Sequence, residues 1–88
     1  MYLAKVVGTV VSTSKDESLV GYKLLVVKEI DEKYRELSKS AVAVDTVGAG
    51  VGEIVFVASG SSARSIFADK NPPIDCSIVG IVDSVETN

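Results

Sequence analysis

Histidine and tryptophan are absent from this 88-residue chain, and cysteine and methionine occur once each. Without histidine, the commonest general base and the commonest metal ligand are gone. A single cysteine, Cys76, closes no internal disulfide, so a cytoplasmic location is the default expectation. Lysine and arginine are also scarce: nine against twelve acidic residues, a net charge of −3 and a pI near 4.8. An acidic surface is poorly suited to phosphate contacts, which argues against nucleic acid. No run of about 18 apolar residues occurs, so no membrane-spanning helix is expected. The opening MYLAKVVGTVV lacks a small-residue cleavage site and reads as a strand rather than a signal peptide.

What is present is apolar. Hydrophobic residues make up 47% of the chain and the mean hydropathy is +0.33, which is rich for a small monomer. The length fits one domain over residues 1–88. A domain of this size buries only roughly 60–65% of its unfolded surface, so association is a common source of further stability.

Residues 2–13 read as a first strand, with even positions apolar or small and β-branched residues frequent. Residues 14–21 are polar, end in Gly21 and read as a loop, and KLLVVK (23–28) as a second strand. Residues 28–39 carry eight of the 21 charges; Ile30, Tyr34 and Leu37 fit a helical turn, and a hairpin with a long charged tip fits equally. Strands are expected at 41–45, 53–58 and 74–86, with a bulge or bend at Gly80. The serines of GSSARSIF (60–67) could cap a short helix, which Asn71-Pro72-Pro73 would end. The fold class is therefore mainly β: a five-stranded, OB-like barrel with one short helix.

LLVV (24–27), IVFVA (54–58) and IVGIV (78–82) are apolar on both faces. One face fills the barrel, and the other needs a cover, for which another subunit is favoured over loops.

Little in the chain points to chemistry. Cys76, beside IVGIV, reads as a small buried hydrophobe. Asp45 and Glu53 flank the glycines of VGAGVGE (47–53) and could be an acid–base pair, but carboxylates that bond loop N–H groups or stay solvated are the preferred reading. Gly48, Gly50 and Gly52 do not make a dinucleotide site, which needs G-x-G-x-x-G opening a helix, nor a phosphate loop, which needs a following lysine. They leave a strand–loop–strand free to take positive φ or to allow close backbone approach. The five aromatics, Tyr2, Tyr22, Tyr34, Phe56 and Phe67, do not cluster beside basic runs. A single-stranded nucleic-acid-binding module of OB type, which would use such clusters, is the alternative reading.

Several blocks together resemble a known family: LAKVVGTVVST (3–13), GYKLLVV (21–27), VAVDTVGAGVGEIVFVASGSSAR (42–64) and IVGIVDSV (78–85). In this order they are similar to the bacterial microcompartment vertex proteins of the EutN/CcmL family. The resemblance implies a five-stranded barrel with a short helix, assembled into homopentamers. It implies a structural role without catalytic residues, cofactor or metal. It implies hexameric shell proteins as partners and a place in the shell of a cytoplasmic microcompartment. The family's aspartate before the glycine loop falls on Asp45, and its arginine after the double serine on Arg64. Asp45, Gly48, Ala49, Gly50, Gly52, Ser61, Ser62 and Arg64 are accordingly expected at the subunit interface or five-fold loop, with Arg64 bonding through its planar fork. Residues 29–39 are more charged and poorer in glycine than the family's usual hairpin tip, and Cys76 stands where relatives often have alanine.

Overall fold

A computed structural model describes residues 1–13, 15–60 and 75–87. Five strands are present: β1 (Tyr2–Val10), β2 (Lys23–Ile30), β3 (Glu36–Asp45), β4 (Ile54–Ser59) and β5 (Cys76–Ile81). They close into a barrel in the order β1-β2-β3-β5-β4, with β4 returning to β1. All pairings are antiparallel except the short parallel contact of β3 with β5, where Val44 faces Ser77 and Asp45 faces Ile78. The expected five-stranded barrel is thus what forms.

Side chains alternate across each strand, and the inward set is small and branched. Ala4, Val6, Leu25, Val27, Ala43, Val55, Val57, Cys76 and Ile78 make one buried cluster. Small residues suit a narrow barrel, whose interior has little room to fill. Leu25 and Ile78 are the largest members, each contributing about 2–3 kcal/mol of transfer free energy. Cys76 lies in this core, with its sulfur 3.8 Å from the Tyr2 hydroxyl. Burial first, and then that contact, push the Tyr2 phenol well above its ordinary range. The Lys39 ammonium sits 4.9 Å from the centre of the Tyr2 ring.

Gly80 is explained by its neighbour. A Cβ there would run into the ring of Phe56, its cross-strand partner. The ladder's register shift falls next to this pair, so the expected irregularity is real, and the ring over position 80 leaves room there for glycine alone.

Of the two readings of residues 28–39, the charged-tip hairpin is the one that forms and the helical turn does not: β2 runs on to Ile30, a tight turn follows, and β3 begins at Glu36, earlier than the expected strand at 41–45. Backbone pairing across the hairpin outweighs the helical spacing of Ile30, Tyr34 and Leu37. The loop at 14–21 contains a short 3-10 turn, Glu17–Leu19, capped by Asp16, whose carboxylate accepts from the Ser18 N–H at 2.9 Å. The helix expected within 60–67 and the Asn71-Pro72-Pro73 turn lie outside the described residues, apart from Gly60.

Candidate functional site

The glycine loop joins the end of β3 to the start of β4 at one mouth of the barrel. Asp45, the last residue of β3, has the same parity as the inward-facing Ala43, so its carboxylate points into that mouth. Its side chain is only 2% exposed. An isolated carboxylate there would be costly, and three donors offset the cost. Oδ1 accepts from the backbone N–H groups of Val47 at 3.1 Å and Ala49 at 3.2 Å. Oδ2 lies 3.4 Å from Nζ of Lys23, which faces Asp45 directly across the β2–β3 ladder. The same ammonium donates to the Ala49 carbonyl at 2.7 Å.

The far end of the loop is tied to β1. Gly52 donates to the Val6 carbonyl at 2.8 Å, and the Val6 N–H donates to the Glu53 carbonyl at 3.0 Å. Glu53 turns its own carboxylate back on the loop, where Oε1 accepts from the Gly50 N–H at 2.7 Å. Asp45 and Glu53 are thus both acceptors for loop N–H groups, one of the two non-catalytic readings the sequence left open. Ala49 is fully buried and joins the core cluster, plugging the loop into the barrel.

The glycines do not play one role. Gly48 (φ +84°) and Gly52 (φ +95°) adopt the left-handed conformation that costs other residues about 1–2 kcal/mol. Gly50 does not; a Cβ there would meet only the Glu53 carboxylate, at an ordinary 3.6 Å. Apart from the adjoining residues, no atom of the described chain lies within 4 Å of a Cβ built on Gly48 or Gly52. Close packing inside the subunit therefore does not explain these glycines. The loop is rigidly held on its inner side and open on its outer side, where Val47 and Val51 are exposed. Of the expected site residues, Asp45, Gly48, Ala49, Gly50 and Gly52 share this one structure; Ser61, Ser62 and Arg64 lie outside the described residues.

Lys23 was not among the residues the sequence singled out. A lysine opening a strand is ordinary, and nothing in the sequence states which residue faces it.

The barrel's outer face carries the second feature. A loop does part of the covering: Leu19, with Leu24, packs on Val44, which is buried. Elsewhere the outward apolar residues remain open or half open, including Val26, Val42, Ile54, Phe56, Val79 and Ile81. Met1, Tyr2, Leu3 and Phe56 line an apolar groove of about 410 Å³. Two-sided apolar strands with uncovered outer faces are what an assembling subunit presents.

Comparison with known proteins places this geometry. The profile described as "Ethanolamine utilisation protein EutN/carboxysome" (EutN_CcmL) matches residues 1–83. The bacterial microcompartment shell vertex protein GrpN of Rhodospirillum rubrum is 60% identical over 87 residues, covering 99% of this chain and 98% of that one. The microcompartment shell vertex protein PduN of Salmonella typhimurium is 49% identical over 89 residues, covering 97% of this chain and 98% of its own. The solved structure of GrpN, described as a pentameric microcompartment shell protein from Rhodospirillum rubrum, superposes with a TM-score of 0.91 at 59% identity, with full coverage of both chains.

Proposed function

The chain belongs to the EutN/CcmL family, and from that premise we propose that it is a structural shell protein, a vertex subunit of a bacterial microcompartment that assembles into homopentamers. Its likeness to a pentameric shell protein over the full chain supports this reading. It acts as one shell-vertex domain over residues 1–88. Its role is positional rather than enzymatic. A head-to-tail contact between two different faces of one subunit closes into a ring when the rotation per subunit suits it. A polyhedral shell tiled by hexamers needs five-fold points to close, so the further partners are hexameric shell proteins of the same shell, and the location is that shell. The relatives described above are named for shell vertices and support this reading, not nucleic-acid binding.

The observation in this molecule that carries the reading is the loop that is fixed from within and bare from without. Asp45, Gly48, Ala49, Gly50 and Gly52 form the contact region near the five-fold axis, where copies of one loop converge and side chains would collide. Ser61, Ser62 and Arg64 belong to the same interface, Arg64 bonding through its guanidinium.

Gly50→Val separates assembly from folding. Its φ is ordinary and a Cβ there is accommodated within one subunit, so the barrel folds with a denaturation midpoint near that of the wild type. Native mass spectrometry at micromolar concentration is expected to show pentamers for the wild type and their loss for the variant. Normal pentamers in Gly50→Val would remove the loop from the interface. A monomeric or dimeric wild type would overturn the vertex reading itself.

A further inference from the structure

Within the glycine loop only Glu53 folds back on Gly50, and the rest of the loop is shaped from outside. Its conformation is imposed by groups on three other strands or strand ends: the Asp45 carboxylate on β3, the Val6 backbone on β1 and the Lys23 ammonium on β2. Of these, Lys23 alone holds both the organising carboxylate and the loop itself, through the Asp45 Oδ2 and the Ala49 carbonyl. It is also the one that reaches solvent, its side chain being 53% exposed. A residue that only filled the core would not be half in water.

We propose that Lys23 is a positioning residue for subunit assembly. Its ammonium fixes Asp45 and the Ala49 carbonyl so that the 46–53 loop is already in its ring-competent shape in the free subunit, and the partner it serves is the loop of the next copy of this chain. The proposal rests on the vertex reading above. A loop ordered before association spares the ring the cost of ordering it five times over. Without the ammonium, Asp45 keeps its two N–H donors but loses the one cation that faces it among the described residues, and the Ala49 carbonyl loses the Lys23 donor. The loop then samples other shapes, while the ladders of the barrel, which Lys23's side chain does not hold together, persist.

The test compares Lys23→Met, which keeps the apolar stem, with Lys23→Arg, which keeps the charge. Lys23→Met is expected to exchange the Val47 and Ala49 amides about tenfold faster while the Val27 and Val57 amides keep their protection. Its pentamer fraction in native mass spectrometry falls about tenfold at a subunit concentration where the wild type is assembled, and Lys23→Arg restores most of it. Wild-type pentamers together with undiminished Lys23→Met pentamers overturn this proposal alone, whatever the exchange rates show. Loss of core protection in Lys23→Met also overturns it, since the lysine would then serve folding. A wild type without pentamers overturns the vertex reading and this proposal with it.

Discussion

The two ends of the β2–β3 hairpin use the same device in opposite surroundings. At the outer tip, Asp31 opens the sequence DEKYR; at the barrel mouth, Asp45 opens DTVGA. In each, one carboxylate oxygen accepts from the N–H groups two and four residues on. Asp31 Oδ1 accepts from Lys33 at 2.9 Å and Arg35 at 3.0 Å, matching the Val47 and Ala49 contacts of Asp45. In each, the second oxygen meets a cation, Arg35 Nε at 2.8 Å for Asp31. In each, the residue three places on has positive φ, Tyr34 at +64° and Gly48 at +84°. The two sites lie ~25 Å apart along the hairpin.

The differences follow from burial. At the exposed tip the cation is local, four residues away in sequence. The strained position holds a tyrosine, whose hydroxyl accepts from the Val85 N–H at 2.9 Å and ties the following tail to the hairpin. At the mouth the cation comes from the neighbouring strand, the strained position holds glycine, and the fifth residue is a buried alanine rather than a solvated arginine. One local motif makes a self-contained turn when wet. It becomes a tertiary clamp when sealed against a core.

That contrast is open to attack at three points. The largest effect is expected from Asp45→Ala, which strands two loop N–H groups and unpairs Lys23, and should cost about 2–4 kcal/mol in denaturant unfolding at fixed subunit concentration. The matching Asp31→Ala should fall among ordinary surface substitutions; equal losses would erase the distinction between clamp and turn. Next, Gly48→Ala should lose about 1–2 kcal/mol, because a Cβ is strained at that φ however open the space. Tyr34→Gly should move stability by less, since relief of strain is offset by the lost Val85 contact and a freer unfolded chain; a Tyr34→Gly change larger than that of Gly48→Ala would contradict the account. The smallest effect is in acid. The backbone N–H of Arg35 first, then that of Lys33 and the Arg35 side chain, hold the Asp31 carboxyl below its usual 3.8. A depressed folded value means that the turn's contribution is complete above the usual value and lost as pH falls through the lowered one. The Lys33 and Arg35 amide shifts should therefore be flat from neutral pH down to about 4 and move only below it; a titration centred at or above the usual value would remove the proposed bonding.

Much of the barrel was readable from apolar content and β-branching, with period-two alternation in residues 2–13 placing Val6 inward; in the runs that hold Val27, Val55 and Ile78 both faces are apolar, so the strands were legible but not which face turns in. The glycine loop was readable as a place needing unusual backbone, and Asp45 as an acceptor beside it. Two more things were not. The charged stretch 28–39 carries helical and hairpin signals of similar strength, and only pairing with β2 decides between them. Lys23 was hidden by register. Near the tip, Ile30 faces Glu36, a count that would put Lys23 opposite Ala43; but Lys28 faces Ser40, so β3 carries two more residues than β2 over this stretch. That slip delivers Lys23 to Asp45, and no local preference of the sequence announces it.

The register slip has a consequence for engineering. Because two unmatched residues of β3 separate the tip from the rungs below, the tip's own spacing does not set which residues meet at the mouth. Residues 31–35 are thus an attachment point: a peptide or a small reporter spliced in there would be displayed away from the lysine–aspartate pair, with the rungs from Lys28 to Lys23 keeping the alignment that positions it.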